Sequence, residues 1–107
     1  MFRPPYGNIS AQMYGKLSHD GYTTILWNDA TEDWDYKNSP SKFIEKIIIQ
    51  NAKPNGIILL HDGRDTQVNY PRDNTVGALP YIIEQLKKEG YTFVTADKIV
   101  NTQPYFD

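Results

Sequence analysis

The apolar positions of this chain change their period along its length, and the changes mark out elements. In "NISAQMYGKL", Ile9, Met13 and Leu17 recur four apart, one stripe of a helix, with Asn8 or Ser10 as N-cap. Gly21 marks the stop after it. "YTTILW" is a short β-branched and aromatic run, which predicts a strand. "SPSKFIEKIIIQNA" predicts a second helix, with Ser39 as N-cap and Pro40 at the first helical position. Its apolar face is Phe43, Ile44, Ile47, Ile48 and Ala52, and Pro54-Asn55-Gly56 ends it as a turn. "GIILLHD" then holds four consecutive large aliphatic residues, the mark of a strand buried on both faces in a parallel sheet under helices. "LPYIIEQLKKEGY" predicts a third helix, with Leu79, Ile82, Ile83 and Leu86 inward and Gly90 past its end. "TFVTADKIV" reads as the last strand.

The predicted order is therefore stub, α, β, α, β, α, β. This is an α/β chain of parallel strands joined by right-handed helical crossovers. No repeat, low-complexity tract or linker divides residues 1–107, which read as one domain. The one long connection runs from Asp62 to Asn74, and irregular loops of that length are usually functional or mobile. Sites in parallel α/β folds form at the carboxyl ends of the strands. Four polar clusters fall at such positions: Arg3 to Gly7, "WNDATEDW", His61-Asp62, and Thr95 to Asp97. On this pattern Arg3, Tyr6, Asp33, Trp34 and His61 share one rim.

Composition narrows the chemistry. A net charge of -2 offers no basic surface for nucleic acid or anionic lipid. No apolar run approaches the roughly 18 residues of a membrane span. With no cysteine, disulfides and thiolate metal sites are excluded. Eight Tyr, four Phe and two Trp suit a sugar-handling protein, and suit many cores equally. Read singly, the polar residues are bland. Arg3 is a surface charge, Asp33 a turn residue, Trp34 a core aromatic, His61 a capped rim histidine, and His19-Asp20-Gly21 a helix end with its turn.

In combination they carry a resemblance. Arg3-Pro4-Pro5-Tyr6 matches an R-x-P-Y/F motif, Asp33-Trp34 the end of D-x-x-D-W, and Leu59-Leu60-His61-Asp62 the motif L-x-H-D. The leading Asp of the second motif is replaced by Ala30, with Asp29 one position away. Three motifs in this order, followed by "TVGALPYIIEQLKKEGYTFVT", resemble the C-terminal part of the polysaccharide deacetylases, the NodB-homology proteins of carbohydrate esterase family four. The resemblance implies part of a distorted (β/α) barrel. It also explains the short stub before Arg3, because the preceding strands would belong to the other part. The family's T-F-D-D and H-[ST]-x-x-H motifs, which supply a base Asp and the metal ligands, are not in this sequence, whose only histidines are His19 and His61.

Roles follow from the resemblance residue by residue. His61 would be the general acid that protonates the departing amine, with Asp33 beside it as electrostatic partner. Arg3 would orient the base Asp, and the Tyr6 backbone N–H would help hold the oxyanion. Trp34 and Leu59 would wall a slot for the acetyl methyl group, with Tyr6 also at the substrate. The complete family domain uses a divalent metal, usually zinc. No tightly bound metal is expected on this chain, which offers one rim histidine and scattered carboxylates. The implied partners are an N-acetylated polysaccharide, of peptidoglycan or chitin type, and either the missing N-terminal half or a second copy joined through sheet edges. For the family, a secreted or cell-surface setting is expected. The first functional reading is thus part of a metal-dependent polysaccharide de-N-acetylase, inactive alone. A non-catalytic carbohydrate-binding remnant is the alternative. A flavodoxin-like module of unrelated role is a third reading, which no glycine-rich phosphate loop supports.

Overall fold

The structure, a computed structural model, describes residues 1–64 and 67–103. In chain order its elements are α1 (Ala11–His19), β1 (Asp29–Ala30), α2 (Ser41–Asn51), β2 (Ile58–Leu59), α3 (Asp73–Lys88) and α4 (Ala96–Val100). They fall into two compact units, residues 28–93, and residues 1–27 with 94–107.

The unit of residues 28–93 holds the main core. Ile44 and Ile48, one helical turn apart on α2, are both 0% exposed. They pack with Ala78, Ile82 and Leu86 of α3. Each buried isoleucine or leucine contributes about 1.5–3 kcal/mol relative to exposure. The inward row of α3 is Thr75, Ala78, Ile82 and Leu86, whereas Leu79 and Ile83, expected inside, are both exposed to 37%. The shift follows from where the helix starts. It begins at Asp73 and runs through Pro80, so its face is set over four turns rather than from Leu79 onward. Pro80 removes one helical hydrogen bond, a cost that packing of the inner row offsets. On α2 the fully buried positions are Ile44 and Ile48; Phe43 is 40% exposed. Ser39 is not the N-cap. Its hydroxyl donates to the Glu32 carbonyl at 2.8 Å, and Pro40 caps α2 with its backbone carbonyl, accepting from Phe43 and Ile44.

β1 and β2 pair in parallel, Asp29 opposite Ile58 and Ala30 opposite Leu59. Parallel strands alternating with helices are as the sequence pattern predicts, but the strands are shorter. The pairing is extended backwards by a side chain, since Asn28 Oδ1 accepts the Ile57 N–H at 2.8 Å. Asn55, at φ 58°, makes the turn before β2.

In the other unit, "YTTILW" forms no continuous strand. It makes one parallel bridge, Thr24 opposite Phe2. The Phe2 N–H donates to the Thr23 carbonyl and the Ile25 N–H to the Phe2 carbonyl, both at 2.9 Å. The stub before Arg3 is therefore paired. Ser10 is the N-cap of α1, its hydroxyl accepting the Met13 N–H at 3.1 Å. The α1 stripe buries little, however: none of its residues is buried, and Met13 is 50% exposed. Ile25 and Pro4 are the buried apolar residues among those described in this unit. The segment read as a last strand is instead α4. Ala96, Asp97 and Lys98 break the β-branched run, and Asn101 closes the helix in the left-handed region at φ 49°. Thr23 and Thr102 hydroxyls hydrogen-bond at 2.8 Å. Among the described residues no helix is long and apolar enough to cross a membrane.

Candidate functional site

Parallel pairing sends the segments that follow β1 and β2 out of the same end of the sheet. Those segments carry Asp33 and His61. Asp33 is 1% exposed, and a carboxylate so buried must be hydrogen-bonded to be tolerated. Its partners are convergent. Oδ2 accepts the His61 backbone N–H at 2.8 Å and the Thr75 hydroxyl at 3.0 Å. Oδ1 lies 2.8 Å from His61 Nδ1. An ionised carboxylate only accepts, so Nδ1 carries the hydrogen and Nε2 is the nitrogen left for other chemistry. The His61 side chain is 35% exposed, while that of Asp33 is fully buried.

Two arginines organise the surroundings. Arg72, at the start of α3, donates to the Asp33 carbonyl at 3.0 Å and to the Gly63 carbonyl at 2.6 Å. It thereby straps the segment after β1 to the segment after β2. Its guanidinium also lies 5.1 Å from the Tyr70 ring. Arg64 sits 5.7 Å from the Trp34 ring and 4.7 Å from Tyr70, to whose hydroxyl it donates at 2.7 Å. Trp34, 39% exposed, thus has a cation against its face. The long connection is ordered around these contacts where it is described. Asp65 and Thr66 lie outside the described residues.

Of the five residues expected on one rim, the structure joins Asp33 directly to His61, with Trp34 next to Asp33 in the chain. Leu59 is on β2, opposite Ala30. Arg3 and Tyr6 belong to the other unit. There the Arg3 guanidinium lies 5.9 Å from the Trp27 ring. Tyr6 holds a left-handed backbone at φ 56°, followed by Gly7 at φ 67°. A Cβ at Gly7 would come within 2.7 Å of the Trp27 ring, so glycine is required there twice over.

Asp29 does not substitute for a carboxylate at position 30. Neighbouring strand residues point to opposite faces, and Asp29 is itself buried, at 4% exposure. Neither of its oxygens closes a well-formed hydrogen bond among the described residues. Burial pushes its carboxyl pKa up, opposed by the nearby Asn51 amide, the Ala30 N–H and the Lys53 charge. Zinc finds no donor set among the described residues, where no three His, Cys, Asp or Glu side chains gather. A hollow of about 330 Å³, lined by Ala30, Thr31, Glu32, Phe43 and Ile47, contains none of the candidate site residues.

Sequence reasoning missed Thr75 and Arg72. The signal for Thr75 was its spacing: a hydroxyl in register with Ala78, Ile82 and Leu86 sits on an otherwise apolar helix face. Placing the start of the helix near Leu79 left Arg72 in the long connection and Thr75 ahead of the helix.

Comparison with known proteins gives relatives across nearly the whole chain. It is 37% identical over 100 residues to a peptidoglycan-N-acetylglucosamine deacetylase of Bacillus cereus, covering 94% of this chain and 45% of that protein. It is 32% identical over 96 residues to a chitooligosaccharide deacetylase of Azorhizobium caulinodans, covering 84% of this chain and 45% of that one. The crystal structure of the Bc1960 peptidoglycan N-acetylglucosamine deacetylase superposes with a TM-score of 0.83 at 29% identity, over 94% of this chain and 44% of that chain. The chain thus spans a little under half the length of each. No family model matches.

Proposed function

From the premise that this chain is homologous to the polysaccharide deacetylases, we propose that it supplies the general-acid part of a site that hydrolyses N-acetyl groups on N-acetylglucosamine-type glycans. The observation that carries the reading is the His61–Asp33 pair: a partly exposed imidazole held at 2.8 Å by a buried carboxylate. Amide hydrolysis needs a proton delivered to the departing nitrogen as its bond to the acetyl carbon breaks. His61 Nε2 would deliver that proton, while Asp33 accepts the hydrogen on Nδ1 and holds the ring in place. Trp34, backed by Arg64, would present an apolar wall to the substrate. For Arg3, Tyr6 and Leu59 the proposed roles rest on the resemblance alone. Among the described residues no donor set fits a metal, so His61 and Asp33 are assigned proton chemistry alone. Metal binding in the whole protein would fall to residues outside this sequence. With a glycan substrate of this kind, the whole protein would act outside the cell or at its surface.

The test is complementation. The chain is mixed with the part of the Bacillus cereus relative that lies outside the aligned region, plus zinc, and acetate release from chito-oligosaccharides is measured. Release that needs both parts and disappears with His61→Ala supports the reading. Release that is equal with His61→Ala overturns it. Saturable sugar binding without acetate would favour the carbohydrate-binding alternative.

A further inference from the structure

Thr75 stands where the helix pattern calls for an apolar side chain. It is 5% exposed on the inward row of α3. A buried hydroxyl without a partner is costly, and the partner it takes is Asp33 Oδ2, at 3.0 Å. That same oxygen accepts the His61 backbone N–H at 2.8 Å. Two donors therefore occupy the two lone-pair directions of Oδ2, and Oδ1 is the oxygen left to face His61 Nδ1 at 2.8 Å. The last torsion of an aspartate is soft and roughly two-fold, so the carboxylate needs anchors to keep this orientation. One anchor comes from the segment after β2 and the other from α3. Arg72 holds the Asp33 main chain through its carbonyl and leaves the carboxylate's rotation unrestrained.

We propose that Thr75 is a positioning residue for the His61–Asp33 pair: its hydroxyl fixes the rotation of the Asp33 carboxylate, so that His61 is held with its hydrogen on Nδ1 and presents Nε2 as the reactive nitrogen. The inference deepens the deacetylase reading, on which only its catalytic consequence rests. The ring tautomer is read with no substrate present, so the two can fail separately.

The chain's histidine content makes the test direct, because His61 and His19 are its only imidazoles. The His19 side chain is 89% exposed and serves as an internal reference. Imidazole nitrogen NMR is recorded on the full chain at a pH where both rings are neutral. The expected result is Nδ1–H for His61 in the unmodified chain and in Thr75→Ser. In Thr75→Val most of the His61 population moves to Nε2–H, with His19 and the Ile44 and Ile48 methyl signals unchanged. Nδ1–H retained in a folded Thr75→Val, or Nε2–H in the unmodified chain, overturns the proposal. If Thr75→Val does not fold, the unmodified chain decides. A Thr75 hydroxyl proton slow enough to observe, close to the His61 amide proton, supports the proposal; one in fast exchange with water overturns it.

Discussion

The two units of this chain are built to different standards of packing. Residues 28–93 contain five buried apolar side chains in one cluster, three of them at 0% exposure. In the other unit Ile25, at 6%, stands almost alone among the described residues, and α1 lies on the surface with no buried residue. The difference bears on what each unit can hold still. Asp33 and His61 are positioned by a carboxylate with three donors beside a close-packed helix pair. Arg3 and Tyr6 are positioned by a turn, a glycine and one isolated bridge. Precision of a site follows the rigidity of the elements beneath it.

The largest test of this contrast is a pair of core truncations. Ile48→Ala should destabilise residues 28–93 by about 2–5 kcal/mol, the usual range for a buried isoleucine. Ile25→Ala should cost less, because its surroundings can collapse around it. Denaturant titration followed by amide hydrogen exchange in each unit measures both, and equal losses would erase the contrast.

Next in size is Asp33→Asn. The amide removes the charge and turns one acceptor into a donor, against two backbone and hydroxyl donors and the ring. Hydrogen bonds to charged groups are worth about 1.5–3 kcal/mol each, and a loss of that order is expected in the same titration. A variant as stable as the parent would mean that the carboxylate is not held as described.

A smaller effect belongs to the sparsely packed unit. Ser10→Ala deletes the side-chain cap of α1 and should cost about 1 kcal/mol, visible as faster exchange of the α1 amides. Exchange in α2 and α3 should not change, and if it does the units are more tightly coupled than their packing implies.

The smallest effect is a slope against pH. Burial raises the Asp29 carboxyl pKa above its ordinary value of 3.8. The native state then favours the protonated form, so this contribution is fully present below 3.8 and is lost as pH rises through the higher folded value. Asp29→Asn should flatten that decline in melting temperature over the mildly acidic range. An unchanged slope would assign the decline to another group.

Much of the better-packed unit was legible in the sequence because its signals are local. The period of Ile44 and Ile48, the Pro-Asn-Gly turn and the aliphatic run before His61 each act within one element. That Asp33 and His61 lie at one end of the sheet followed from strand ends in a parallel fold, whereas their direct pairing was implied by the family resemblance. The extent of α3 was not legible, because tertiary burial carries the helix through Pro80 where propensity alone would stop it. That single misplacement hid Thr75 and Arg72, and with them two of the groups that hold Asp33. The other unit was read worst. β-branched residues in "YTTILW" and "TFVTADKIV" predict strands, but a strand forms only where a partner is aligned to pair with it. One bridge and a short helix are what these segments find.

The hydroxyl contact between Thr23 and Thr102 spans most of the chain. It has a consequence for the order in which the molecule can assemble. Residues 28–93 are contiguous, so their packing needs no segment made after residue 93. The remaining unit draws on both ends of the sequence and cannot close until residue 102 has been made. Joining such distant segments also carries a loop-closure entropy that grows slowly with length. During synthesis, therefore, the contact between Thr23 and Thr102 should close only after His61 and Asp33 have both been made.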